Sequence, residues 1–259
     1  MGLSPARRAL ALRLTSIAPK RKLVLENPLN TLFMIAAVVL AATSAPAAFQ
    51  DNHSAGARPA WAVEGVTDTV WMSVESALAE EDKDRTKTML RDAEVQARSA
   101  LAGNEGHAGR RFALAVVLGL RIEREGGRTK IHIASEMKKE LDATLAIDPM
   151  HGRARHLRGR LNAAVLRMGA ITRFLATSIL GGGELKKATW QQAESDLVFA
   201  EAQVPGVSDH HMQLANLYRD TKRPELARAE VEHVLAIPCH SRMETAVREE
   251  ALRLKKKLR

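Results

Sequence analysis

The stretch from Thr189 to Pro238 constrains the fold most, because one spacing of small residues occurs in it twice. Ala193, Leu197, Ala200 and Pro205 follow at steps of four, three and five. Ala227, Val231, Val234 and Pro238 follow at steps of four, three and four. Residues three and four apart share one face of an α-helix. Alanine on that face lets a second helix approach closely. The larger apolar residue fills the seam, and the proline stops the helix. With Leu214, Ala215 and Tyr218 just upstream, Leu214–Pro238 reads as one helical hairpin of tetratricopeptide type, whose period is about 34 residues. Such a pattern specifies a scaffold and is silent about any reaction.

From Thr67 onward the remaining pattern is helical almost without interruption. Thr69–Leu78 puts Val70, Val74, Ala77 and Leu78 on one face, and Thr86–Leu101 does the same with Leu90, Ala93, Ala97 and Ala100. Gly103 and Gly106 end this first hairpin. A second spans His107–Glu125 and Thr129–Ile147, with Met137 and Thr144 at positions where the repeat wants small residues. Helix five is predicted as one long element, Arg153–Ile179, ended by Gly181-Gly182-Gly183. Thr189 opens helix six as a capping box with Gln192. Helices over Ser208–Asp220 and Pro224–Ile237 follow, and Met243–Leu258 is a charged last helix with a polar outer face suited to an end cap. No period-2 run is long enough for a strand. The fold class is therefore all-α: a tetratricopeptide-like α-solenoid of about four hairpins plus a C-terminal capping helix. Aromatic residues make up only 3% of the 259 residues, so alanine and leucine must build the core, which suits close helix packing.

The N-terminus reads as an export signal over residues 1–47. Arg7, Arg8, Arg13, Lys20, Arg21 and Lys22 precede the apolar run Leu32–Ala42, and Ala45-Pro46-Ala47 offers a small-x-small cleavage site. The run is short of the roughly 20 apolar residues of a spanning helix. The expected location is the periplasm, with an inner-membrane anchor as the alternative if the run stays uncleaved. Arg7-Arg8 lies too far from the run for a twin-arginine signal. Residues 48–66 read as a flexible linker, and 67–259 as the repeat domain. The chain carries a net charge of +9, of which the first 47 residues hold +5, and the remainder is too weakly basic to argue for nucleic acid. The basic end Arg253–Arg259 has no interleaved aromatics and reads as a soluble terminus.

The segment His156-Leu157-Arg158-Gly159-Arg160, a long helix, a Gly-rich loop, the Trp190–Pro205 helix and the Leu214–Pro238 repeat together resemble the regulator of microtubule dynamics family. The resemblance covers Arg153–Arg259 well and Thr67–Met150 loosely. It implies a tetratricopeptide scaffold with an elongated penultimate repeat. Animal members are associated with microtubules, spindle poles and organelle contact sites; bacterial members are often exported. Because a periplasm has no microtubules, the resemblance implies the fold and a protein-binding role here, with no named partner.

No catalytic residues are expected. Glu80-Glu81 and Glu249-Glu250 sit in charged surroundings, whereas acid–base catalysis needs one carboxyl desolvated. There is no Gly-x-Ser-x-Gly, and the Gly-rich loop lacks the Lys-Ser or Lys-Thr of a phosphate cradle. Cys239, the single cysteine, excludes an internal disulfide and is expected to be partly buried and inert. No metal or other cofactor is expected either. His210 and His211 are adjacent and point about 100° apart on a helix, His151 and His156 are five apart, and no acidic partner completes either pair in the sequence. The candidate site is instead a peptide-binding groove. Arg153, His156 and Arg160 share a face of helix five; the resemblance, with Gly159 at the family's small position, implies that they lie on the groove side and that Asp209, Met212, Asn216 and Arg219 line it in the next repeat. The arginines suit an acidic segment or a C-terminal carboxylate. The bland reading is a solvated face, or pairing with Asp and Glu of a neighbouring helix.

Overall fold

The computed structural model describes residues 68–258, and these form ten α-helices and one 3-10 turn with no strand among the described residues. The export signal and linker read from the sequence lie outside the described residues. Helices α1 (Asp68–Ala79) and α2 (Lys83–Leu101) form the first hairpin. Helices α3 (Ala108–Ile122) and α4 (Gly127–Ile147) form the second. The third pairs α5 (Gly152–Leu166) with α7 (Trp190–Gln203), and the fourth pairs α8 (Ser208–Asp220) with α9 (Pro224–Ala236). Helix α10 (Arg242–Lys257) caps the stack.

The small-residue series lie where the sequence puts them. Ala193, Leu197 and Ala200 are buried along α7, and Ala227, Val231 and Val234 along α9. The core is a succession of local seams. One runs from α1 through α5 and centres on Phe112–Leu120 of α3, which is apolar all round and correspondingly enclosed. A second joins Ala163, Ala193, Leu197, Leu214, Leu217, Tyr218 and Ala227. A third joins Met212, Ala215, Val231 and Val234 to Val247, Ala251 and Leu254 of α10. The first seam runs on through three hairpins and the other two join neighbours only, the stacking that holds a helical-repeat solenoid together. Met137 and Thr144 are fully buried without being small; Thr144 manages this by donating its hydroxyl to Glu140 O at 2.8 Å.

Helix five departs from its predicted length. It stops at Leu166, and a separate short helix, α6 (Ala170–Ser178), follows. Tertiary contacts end it where no proline does. Arg167, at the C-cap, donates its Nε to Asp220 at the far end of α8, and Met168 turns into the core. The insertion closes through Gly182, whose N–H donates to Ala176 O at 3.0 Å; a Cβ there would lie 2.5 Å from that oxygen. The Gly-rich loop is thus a packing device. Helix α6 buries Ala176 and Thr177 but leaves Ile171, Phe174 and Leu175 exposed, together with Ile179 at its C-cap.

Two local expectations change. The Gln192 N–H donates to Thr189 Oγ1 at 3.1 Å, as a cap requires, but Gln192 Oε1 accepts from Asn162 Nδ2 on α5, so the reciprocal half of the box gives way to a bond between helices. Cys239 is exposed, because α9 ends at Ala236 and the connection to α10 lies outside the seam.

Candidate functional site

The five residues His156–Arg160 serve three neighbours at once, because successive helical positions turn by about 100°. His156 and Arg160, four apart, face α8. Arg158 faces the other way: its Nε and Nη2 grip the two oxygens of buried Asp196 on α7 at 2.7 and 2.9 Å, and its Nη1 reaches Asp142 on α4. Arg155 adds a bond to Asp196 and stacks on Phe199, 4.3 Å from the ring centroid. Leu157 enters the core, and Gly159 marks the α5–α7 crossing, where a Cβ would sit 2.8 Å from Leu197 Cγ and 3.0 Å from Ala193 O.

The cluster between α5 and α8 centres on Asp209, which is 2% exposed. Its Oδ2 meets His156 Nε2 at 3.1 Å and accepts from Arg160 Nη1 at 3.3 Å; its Oδ1 accepts from Gln213 Nε2 at 3.0 Å. His210 stacks on His156 with ring centroids 4.5 Å apart. Burial opposes the Asp209 charge, yet Arg160, His156 and Gln213 together hold its carboxyl well below the ordinary range. Burial pushes the His156 ring down, with Asp209 resisting and Arg160 assisting. Burial also pushes His210 down to about 3, with His156 next in effect. Both rings are therefore neutral near pH 7. A neutral His156 that donates from Nε2 to Asp209 keeps a bare acceptor at Nδ1. Burial pushes Glu123, at the C-terminal end of α3, up to about 8 against the pull of Arg124, Arg160 and Lys130.

This cluster contains unmet hydrogen-bonding capacity. Among the described residues, His156 Nδ1, His210 Nδ1, Arg160 Nη2 and Glu123 Oε1 are all buried and have no partner. Buried polar atoms are nearly always paired, so four in neighbouring positions ask for an explanation.

The buried rings set the acid response. A ring kept neutral in the fold but protonated in the unfolded chain contributes stability above pH 6.5 and loses it as pH falls towards about 3. Glu123 works in the opposite sense: its share is present below about 4.5 and lost as pH rises through about 8. Comparing urea unfolding of wild type and His210→Gln isolates the first effect. Between about pH 6 and pH 4 the wild type should lose stability relative to the variant by about 1.4 kcal/mol per pH unit. Parallel pH profiles would show that the ring does not sit neutral in this seam.

The seven residues expected to line one groove separate into groups. His156, Arg160 and Asp209 come together, joined by His210 and Gln213, which the sequence pattern missed. Arg153, in the first turn of α5, is half-buried and pushed down by burial. Met212 is fully buried against Val231, Val234 and Val247, so it belongs to the core. Asn216 is buried and donates Nδ2 to Glu250 of α10, tying the cap to the stack. Arg219 is exposed and pairs with Asp220 at 2.7 Å. Placing Asp209, Met212, Asn216 and Arg219 on one open face failed because α10 covers the part of α8 that carries Met212 and Asn216.

The histidine reading also changes. His151 caps α5, its Nδ1 accepting from Ala154 N–H at 3.2 Å. His210 and His211 do diverge as their adjacency requires, but His211 then meets Glu230 and His233 on α9. An acidic partner is present after all, one that only the pairing of α8 with α9 brings close.

Stacked antiparallel hairpins, local apolar seams and polar side chains that knit each hairpin to the next define an α-helical repeat protein. The family described as regulator of microtubule dynamics protein 1-3 matches residues 67–259. The chain belongs to that family. No curated protein matches it at a significant level.

Proposed function

We propose that the chain is a non-enzymatic, tetratricopeptide-type scaffold that binds a partner protein beside α5 and α8. The segment it takes is acidic or ends in a free carboxylate. The observation that supports this most is Arg160 Nη2, a buried cationic donor with no acceptor among the described residues, beside the bare acceptor of His156. A carboxylate and its neighbouring backbone N–H carry the complementary pair of groups. In this reading the leader over residues 1–47 delivers the scaffold to the periplasm.

The test is fluorescence anisotropy with a peptide library bearing free C-terminal carboxylates and the same library amidated. Free-carboxylate peptides should bind, more weakly at higher salt, and Arg160→Lys, which keeps the charge opposite Asp209 but removes Nη2, should abolish binding while circular dichroism stays unchanged. Equal binding of the amidated library, or an unaffected Arg160→Lys, would discard the idea.

A second reading is favoured by the apolar face of α6, where Ile171 is 79% and Phe174 61% exposed. In it, the repeats pack permanently into an envelope complex, tethered by residues 32–42 if these stay uncleaved. Among the described residues no helix is long and apolar enough to cross a membrane. A permanent subunit co-purifies through high salt, whereas groove binding does not survive it.

A further inference from the structure

We propose that His211, Glu230 and His233 form a transition-metal site, suited to Zn²⁺, that staples α8 to α9. The three residues each offer one ligand atom, and these atoms lie within 4.8 Å of one another. His211 Nδ1 is 2.8 Å from Glu230 Oε2, and His233 Nδ1 is 3.7 Å from the same oxygen. A tetrahedral zinc with bonds of about 2.0–2.1 Å holds its ligand atoms about 3.3 Å apart. The two observed separations bracket that value, and the third, between the two rings, lies within 4.8 Å, so rotation of the exposed His233 side chain closes the set. The rings stand edge to face at 71°, with centroids 5.0 Å apart, and each turns its Nδ1 towards Glu230 Oε2.

The helices supply the preorganisation. Glu230 and His233 are three apart on α9 and share a face. His211 comes from α8, held in place by the packing of Met212 and Ala215 against Val231 and Val234. A further observation points to a metal. His211 Nε2 faces Glu201 Oε1 at 3.8 Å, so a carboxylate faces each nitrogen of one ring. A neutral imidazole has only one N–H and cannot donate to both, whereas an imidazolium, or a neutral ring with a metal on Nδ1, serves both carboxylates. With the metal, Nε2–H is directed to Glu201, the carboxylate–histidine–zinc arrangement that orients metal-bound rings. Two nitrogens and one carboxylate oxygen favour zinc, cobalt, nickel or copper over magnesium or calcium. The side chains of His211 and Glu230 are 11% and 17% exposed, and His233 is 60% exposed, so the fourth position faces solvent and takes a water. The site lies on α8–α9, next to the partner-binding cluster along α8, with His211 within electrostatic reach of His210.

The experiment uses the full-length chain without an affinity tag. Isothermal titration with Zn²⁺ should give one equivalent bound. Co²⁺ should give the intense visible bands of a tetrahedral site, bleached by Zn²⁺. At a hundredfold excess over Kd, Zn²⁺ should raise the thermal midpoint by roughly 5–10 °C. His233→Ala and Glu230→Gln should abolish all three responses; His233 is exposed, so its loss leaves the fold intact. His132→Ala, an exposed histidine on α4, should keep them. No stoichiometric Zn²⁺ binding, or binding that survives His233→Ala, would overturn the proposal and leave His211 as an ion-paired ring between Glu201 and Glu230.

Discussion

Gly159→Leu is expected to destabilise the protein by about 3 kcal/mol or more, read as a lower urea midpoint at unchanged slope. Gly159 lies inside α5 where α7 crosses it. The first atom of any side chain would lie 2.8 Å from Leu197 Cγ and 3.0 Å from the Ala193 carbonyl oxygen. A rotamer change could move Leu197, but the carbonyl belongs to the backbone of α7 and cannot move alone. The helices must part, and parting them opens the seam of Ala163, Ala193 and Leu197. Gly159→Ala should cost less, about 1–2 kcal/mol, because alanine recovers about 1 kcal/mol of helix propensity while adding one crowded atom. Combining Gly159→Ala with Leu197→Ala should be clearly non-additive, since each side chain defines the other's space. A Gly159→Leu variant within about 0.5 kcal/mol of wild type would mean the crossing is looser than its geometry.

Asp209→Ala is the second large effect, an expected loss of about 3–5 kcal/mol at pH 7. The substitution strands Arg160 in a site where it is 2% exposed and loses its one bonded acceptor among the described residues. It also removes an acidic residue from the first turn of α8, where the helix dipole favours negative charge. Because the Asp209 carboxyl is held below its ordinary value of 3.8, its contribution is present above that pH and is lost as pH falls further. Replacing the pair together, Asp209→Leu with Arg160→Met, should cost much less than Asp209→Ala alone, because no buried charge is left without a partner. Chemical denaturation of the single and double variants decides this. A loss under about 1 kcal/mol for Asp209→Ala would show that water already screens the pair.

The two residues also divide the molecule's stability from its proposed activity. Asp209 holds Arg160 through Nη1, whereas the proposed partner binding uses Nη2 of the same guanidinium. The Asp196 clamp, gripped by Arg158 and Arg155, joins α5 to α7 on another side of the same helix. Charge on α5 is therefore partitioned: one arginine pair ties the third hairpin together, and Arg160 joins that hairpin to the fourth.

What the chain's order of residues determined by itself is the helical class and the seams within each hairpin. Ala193, Leu197 and Ala200, and Ala227, Val231 and Val234, are buried at the positions their three- and four-residue steps assign. Helical periodicity is local, and alanine's fitness for close approach needs only the adjacent helix. The contacts between hairpins were decided by tertiary structure alone. The end of α5 at Leu166 follows from Arg167 reaching Asp220, 53 positions away. Met212 and Asn216 became core because α10 covers them, and His211 met Glu230 and His233 because α8 folds onto α9. Periodicity shows which residues share a helix face; which other helix lies against that face depends on how the hairpins stack, and that is set by summed packing over residues distant in the chain.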